Sequence, residues 1–492
     1  MDMYDVLRGK FGFNEFRLNQ ENIIKAVLDK DIYGILAVLP TGGGKSLLFQ
    51  IPALLMDGLT VVISPLISLM KDQVDFLKSK NIPAEFYNSS LPVKIKRDIE
   101  FKLVRKELKI LYISPERFGD SNFFTALRQT NNISVLAVDE CHCISTMGHD
   151  FRPAYRKLHE IIEFLKPQQV IALTATATKR VQQDICNQLH IPKATKFIQG
   201  FYRPDLKLSI QTCTFTSLYD KIINRVKKYT DNGHKTGIIY APTRQKAESL
   251  VEEFKTWNIP STLYHAGLSD KIREKTQSDW FLNGGIVVAT IAFGMGINKP
   301  DVRFVIHAGI PSSIESYYQE IGRASRDGLG AECVVFYDPI KDENLQRFFI
   351  EMSYPSNSTI IKFWDWCCET AEEDDLIEMT QKEMSNYCQK INSCFISGCI
   401  SKLKENNFIE TLATAKYKIY REKNIVSDFD FTSLNIRRMD KNNILADLID
   451  FLKNSFECRM LNILHYFDDY SHSEDCGTCD VCKRKLLKTR PV

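Results

Sequence analysis

Long apolar runs are missing from this 492-residue chain. None approaches the roughly 20 residues that cross a bilayer. Leu59–Leu66 is short, β-branched and interrupted by Ser64 and Pro65. No membrane partner is therefore expected. Met1–Lys10 lacks the apolar core of a secretory signal, so secretion is not expected either. An excess of one charge is missing too: 64 Lys and Arg face 61 Asp and Glu, leaving +3. A bulk polycation is excluded, and any nucleic-acid site must be a local cluster of basic and aromatic groups. There is no internal repeat and no low-complexity tract. Without a secretory signal, the 14 cysteines read as reduced thiols and metal ligands rather than disulfides.

What is present is ordinary for a globular protein: 44% hydrophobic and 25% charged residues. At about 100–200 residues per domain the length predicts about three domains. Apolar strand-like runs recur at Ile35–Leu39, Thr60–Ser64, Lys109–Ile113, Val135–Val138 and Val170–Leu173. They resume at Thr236–Tyr240, Ser261–Tyr264, Ile286–Ala289, Val302–Ile306 and Cys333–Tyr337. Helical patterns separate them. That alternation predicts an α/β fold with parallel sheets covered by helices on both faces. The set is too large for one open sheet, and Gly200–Lys207 carries a turn signal. Two α/β domains follow, 1–205 and 206–340. Beyond them a mainly helical region is expected over 341–440 and a metal module over 441–492.

Pro40-Thr41-Gly42-Gly43-Gly44-Lys45-Ser46 lies between a strand and the helical run Leu47–Leu55. Three glycines let successive N–H groups face an anion, and the helix N-terminus adds positive charge. Lys45 can reach the β- and γ-phosphates of ATP, and Ser46 can place a hydroxyl on Mg²⁺. Asp139 and Glu140 follow the strand Val135–Val138, where open α/β sheets bind ligands. Asp139 is expected on Mg²⁺, and Glu140 on the attacking water. Gln319-Glu320-Ile321-Gly322-Arg323-Ala324-Ser325-Arg326 offers cations to the same phosphate. Its two arginines are expected on one helix face. Standing alone, that pair would read as a salt-bridged surface.

Together these motifs resemble the superfamily-two helicase core, and more closely the RecQ family of DNA helicases, over about residues 5–340. The resemblance implies two RecA-like domains. It assigns Phe11–Gln20 to an adenine-reading motif, with Phe13 and Arg17 sandwiching the base and Gln20 bonding its edge. Ser64–Gln73 and Ser114–Arg117 resemble strand-tracking motifs. Leu173–Ala177 resembles the segment coupling the domains. Tyr240, Arg244 and Ala289–Pro300 match motifs of the second domain. Met147, His149, Phe151 and Arg152 fall in the loop that senses single-stranded DNA. Met147 stands where a tryptophan is usual, and Ser325 where glycine is usual. If that loop is the sensor, Met147→Trp should raise DNA-stimulated ATPase activity.

Cys458, Cys476, Cys479 and Cys482 are spaced C-x17-C-x2-C-x2-C. Thiolates at two-residue gaps converge on one tetrahedral Zn²⁺. This is a structural site, and it too resembles the RecQ zinc module. The first cysteine is expected on a helix Asn442–Tyr470, the others in a tight loop. Met379–Glu410 has a winged-helix pattern. Lys416, Tyr417, Lys418, Tyr420 and Arg421 would form a basic, aromatic hairpin against duplex DNA. The zinc here follows the winged helix, whereas RecQ proteins commonly place it before.

The resemblance implies an ATP-dependent 3′–5′ DNA helicase acting on single-stranded and tailed duplex DNA in recombination and repair. The implied location is the cytoplasm, at the nucleoid, in a bacterium, or the nucleus in a eukaryote. It names no protein partner. Two alternatives stand beside it: an RNA-directed helicase, and a DNA-binding or annealing protein with a weakly coupled ATPase.

Overall fold

The apolar runs become the strands of two parallel sheets. The computed structural model describes residues 2–17, 19–65, 67–88, 91–115, 117, 121–130, 132–145, 152–198, 200–294, 299–372 and 374–488. The chain divides into two compact units, Met1–Tyr337 with Asn454–Val492, and Asp338–Lys453.

In the first unit, β1 (Gly34–Val38), β2 (Leu59–Ile63), β3 (Ala84–Tyr87), β4 (Ile110–Ile113), β5 (Ile133–Val138), β6 (Gln169–Thr174) and β7 (Thr195–Ile198) form one sheet. Its order is β3-β4-β2-β5-β6-β1-β7, and every pairing is parallel. The inner strands β1, β2, β4, β5 and β6 are buried along their whole length. They are continuous apolar runs because helices cover both faces. β7 is an edge strand that alternates in exposure, so no such run marks it.

A second parallel sheet holds β8 (Leu206–Thr212), β9 (Thr236–Tyr240), β10 (Ser261–Tyr264), β11 (Gly285–Ala289), β12 (Phe304–Ala308) and β13 (Ala331–Tyr337), in the order β10-β11-β9-β12-β13-β8. Gly237 of β9 pairs with Phe304 of β12, and the Phe304 ring occupies the space a Cβ at 237 would need. Both sheets present their strand C-termini to the loops that carry the chemistry.

The unit Asp338–Lys453 packs the helices Lys341–Ser353, Asn357–Thr370 and Phe431–Lys453 with a helix–helix–hairpin segment. β14 (Leu376–Glu378) pairs antiparallel with β16 (Lys416–Ile419), which pairs antiparallel with β15 (Ile409–Ala413). Helices Gln381–Tyr387 and Ile396–Glu405 lie between β14 and β15 in sequence, giving winged-helix connectivity. Phe363, Trp364 and Trp366 are buried in its core with Phe408 and Ile419. The hairpin differs from expectation. Tyr417 is buried, Lys416 pairs with Glu378, and Arg421 bonds Asp375 at 2.9 Å. Much of its charge is neutralised within the unit.

Gly398 sits inside helix Ile396–Glu405, where glycine costs about 1 kcal/mol relative to alanine. A Cβ there would overlap the Met352 carbonyl oxygen. Gly398→Ala should therefore destabilise this unit by about 1–3 kcal/mol, read by chemical denaturation. Equal or greater stability would show that the helices can part at no cost.

Helix Phe431–Lys453 runs unbroken past residue 440, where a boundary was expected. The expected helix Asn442–Tyr470 is interrupted at Asn454. Its Oδ1 accepts the N–H groups of Phe456 (3.0 Å) and Glu457 (3.1 Å), a side-chain turn that competes with the helix. A new helix, Arg459–Tyr466, starts from Cys458 as its cap residue.

Candidate nucleotide site and metal centre

The loop after β1 is built for an anion. Gly42 and Gly44 hold φ of +84° and +70°, a region other residues rarely adopt. Helix Leu47–Leu55 begins directly after Ser46. Lys45 Nζ lies 3.3 Å from the Leu39 carbonyl and 3.5 Å from that of Pro40. Burial holds its ammonium below the usual lysine range, and Arg326 adds to this, while Glu140 and Asp139 oppose it. Gln20 is buried. Its amide donates to the carbonyls of Gly43 (3.0 Å) and Gly44 (3.2 Å), and its Oε1 accepts the Arg17 N–H (2.9 Å). Gln20 thus braces the phosphate loop; its Oε1 keeps a lone pair for a base N–H, while donation to a base would require its amide to release a carbonyl. Phe13 and Arg17 are exposed.

β5 delivers the acids. The Asp139 N–H is held by the Ile63 carbonyl at 2.9 Å, and Tyr155 OH donates to the Asp139 carbonyl at 3.1 Å. Burial first, and Glu140 second, push the Asp139 carboxyl up to about 7. Glu140 stands at φ +47°, and its N–H donates to Asp139 Oδ1 at 3.0 Å. Glu140 Oε2 has no hydrogen bond, though it lies 3.4 Å from His142 Nδ1. An unsatisfied carboxylate oxygen beside Lys45 and a loop of N–H groups fits a hydrated cation and a phosphate. Ser46 and Asp139 would hold that cation.

From Glu140 a chain of polar contacts crosses to the other lobe. His142 Nδ1 meets Thr174 Oγ1 at 2.8 Å. Thr174 Oγ1 also reaches the Thr176 carbonyl at 3.2 Å. Thr176 Oγ1 then accepts from Gln319 Nε2 at 3.0 Å. The resemblance places His142 in the Walker B-like segment Asp139–Ser145 and the threonines in Leu173–Ala177, without assigning any of them to an individual bond.

Gln319 lies on helix Ile314–Ile321, capped by Ser313 Oγ on the Ser316 N–H at 3.0 Å. The helix ends before the arginines, so they do not share a helical face as expected. Gly322 closes it, and Ser325 takes φ +53°. Gly322 comes so near the phosphate loop that a Cβ would lie 3.2 Å from Thr41 Cβ. Arg326 lies against Gly42: a Cβ there would sit 3.6 Å from its Cδ and Nε. Burial, then Arg323 and Arg203, push its guanidinium down to about 9. Arg323 turns into its own lobe and donates to the Gly294 carbonyl.

Arg203, read in the sequence only as part of a turn, grips this segment. It forms a bidentate pair with Asp205 (3.0 and 2.8 Å) and donates to the Ala324 carbonyl at 2.9 Å. Ser325 repays its backbone strain by accepting the Gly330 N–H at 2.8 Å. Of the expected DNA-sensing residues, Met147, His149 and Phe151 lie outside the described residues. Arg152 donates to the Pro65 carbonyl at 3.0 Å.

The ligand atoms of Cys458, Cys476, Cys479 and Cys482 all lie within 4.8 Å of one another. A tetrahedral ion at about 2.3 Å from each sulfur places the sulfurs roughly 3.8 Å apart. The separations of 3.4 Å (Cys479–Cys482) and 4.0 Å (Cys476–Cys482) bracket that value. N–H groups already point at the sulfurs: Cys476 at Cys458 (3.3 Å), Cys482 at Cys479 (3.4 Å). The donor set fits zinc.

Comparison with known proteins agrees with this geometry. The DEAD/DEAH box helicase family matches residues 17–185, the helicase conserved C-terminal domain 217–328, and the RecQ zinc-binding family 421–483. ATP-dependent DNA helicase RecQ of Haemophilus influenzae is 44% identical over 70% of this chain and 55% of its own length. The chain thus spans about half of that relative. ATP-dependent DNA helicase RecQ of Bacillus subtilis is 36% identical over 92% of this chain and 79% of its own length. Among solved structures, the DEAD-box helicase Mss116 bound to ssRNA and UDP-BeF gives a TM-score of 0.57 at 18% identity, covering 89% of this chain and 88% of that one. That likeness concerns the fold. By its extended match to the Bacillus relative, with both helicase lobes and the zinc-binding cysteines in place, the chain belongs to the RecQ family of ATP-dependent DNA helicases.

Proposed function

We propose that the chain is an ATP-dependent DNA helicase that moves 3′ to 5′ along single-stranded DNA and opens tailed duplexes in recombination and repair. The observation that carries this reading is the polar path Glu140–His142–Thr174–Thr176–Gln319, with Arg326 on Gly42. It gives both lobes a stake in one phosphate. Lys45 and the loop N–H groups bind the β- and γ-phosphates. Glu140 takes the proton of the attacking water, and Arg326 balances charge on the transferring phosphoryl. Mg²⁺ at Ser46 and Asp139 would neutralise phosphate charge and orient the phosphoryl group. Arg323 would reach the nucleotide only by leaving the Gly294 carbonyl. Phe13 and Arg17 would enclose the base. When phosphate leaves, the charge joining the lobes is lost, and Gln319 is free to part from Thr176. Repeated closure and opening steps a bound strand along both lobes. Contacts to phosphates grip without reading sequence.

The test is strand separation of a fluorescent 3′-tailed DNA duplex. Separation is expected with ATP and not with a non-hydrolysable analogue, and a 5′-tailed duplex should stay paired. Binding and hydrolysis without separation would replace the helicase reading with an annealing factor. Stronger stimulation by RNA than by DNA would replace it with an RNA motor, since the 2′-OH discriminates the two.

A further inference from the structure

The cysteine module is attached to the helix that brings Gln319 to the nucleotide site. Its helix Arg459–Tyr466 is tied to the metal loop at one end. The Arg459 N–H points at Cys479 Sγ (3.5 Å), and its guanidinium takes Asp480 at 3.0 and 3.2 Å. At the other end, Tyr466 OH donates to Glu315 Oε1 at 2.6 Å. Glu315 is only 3% exposed, and its other oxygen has no hydrogen bond. The next residue, Phe467, is fully buried. Its ring stacks on Phe201 at 4.3 Å and 8°, and meets Tyr318 edge-on at 5.5 Å. Tyr318 OH donates to the Phe201 carbonyl at 3.0 Å. Glu315 and Tyr318 are three residues apart on one face of helix Ile314–Ile321, and Gln319 follows directly.

We infer that Tyr466 and Phe467 are positioning residues for ATP hydrolysis: they hold helix Ile314–Ile321 so that Gln319 meets Thr176 and Arg326 meets Gly42. The cysteine loop sets the near end of the lever, and the nucleotide site feels the far end. Tyr466 bonds Glu315, and Phe467 packs on Phe201 and Tyr318, none of them in the phosphate loop. ATP binding therefore persists without them, while the step that needs the second lobe slows. This inference rests on the reading of the phosphate loop and Arg326 as an ATP site.

The experiment compares Tyr466→Phe, Phe467→Leu and Arg326→Ala in the full chain. Readouts are DNA-stimulated kcat, KM for ATP, zinc content and thermal midpoint. Tyr466→Phe removes one oxygen and should lower kcat about tenfold, with KM within about twofold and zinc retained. Combining it with Glu315→Leu should lose no more than the worse single variant, because both break one bond. Phe467→Leu should show the same split and serves if Tyr466→Phe does not fold. Unchanged kcat in both single variants, or a rise in KM that matches the loss, overturns the inference. Wild-type turnover in Arg326→Ala would instead remove the ATP-site reading, whatever Tyr466 does.

Discussion

Lys45→Ala should reduce ATP turnover by at least about 10²–10³-fold, the cost of removing a preorganised donor from a developing charge. The ammonium is the cation carried by the phosphate loop itself, with Arg326 facing it from the second lobe. Burial disfavours its charge, and Asp139 and Glu140 offset that. Water cannot take its place at equal strength, because a desolvated site strengthens every fixed charge. The loop should survive the change. Its shape rests on Gly42 and Gly44, on the Gly43 N–H to Pro40 carbonyl bond (3.0 Å), and on Gln20. Circular dichroism and the thermal midpoint should therefore stay near wild type. Turnover within tenfold of wild type would remove the phosphate-loop assignment.

Cys479→Ser should release the metal and unfold the module. Elemental analysis of the wild type should find one zinc per chain, and the variant far less. The serine hydroxyl is a poor zinc ligand near neutral pH, and structural zinc sites contribute on the order of 10 kcal/mol to folding. Cys479 is fully buried and accepts the N–H groups of both Arg459 and Cys482. Serine leaves those donors facing a shorter, harder acceptor. The Arg459–Asp480 pair would then lie buried in a loosened loop, where an unpaired charge is costly. A metal-free wild type, or a variant of equal stability, would remove the zinc assignment.

How far the sequence predicts the structure depends on whether the signal is local. Inner strands such as β1 and β5 are legible because burial on both faces demands an unbroken apolar run. β3 and β7 escape notice because four-residue edge strands such as Thr195–Ile198 need only half their side chains covered. The phosphate loop and the cysteine spacing are legible because backbone conformation and ligand geometry act over a few residues. Helix Ile314–Ile321 ends at Gly322, before Arg323, where the chain passes close to Thr41 of another lobe, a contact that no local pattern marks. The resemblance assigns Gln20 to a base edge, and its buried amide also meets two loop carbonyls 23 and 24 residues away, contacts without a local signature. Two of the three cations of the basic hairpin, Lys416 and Arg421, pair with Glu378 and Asp375, acids distant in sequence.

The segment 338–453 separates in sequence the two parts of one compact unit. Tyr466 and Glu315 touch across a separation of 151 residues. At about 5–20 residues per second, a ribosome needs on the order of ten seconds to make that stretch. For that interval the nascent second lobe carries its Gln319 helix without the Tyr466 bond to Glu315 or the Phe467 ring against Tyr318. The contacts of the C-terminal module thus form only after both lobes have been made. A chain stalled before Tyr466 would hold a complete phosphate loop facing a Gln319 helix that lacks its Tyr466 and Phe467 contacts.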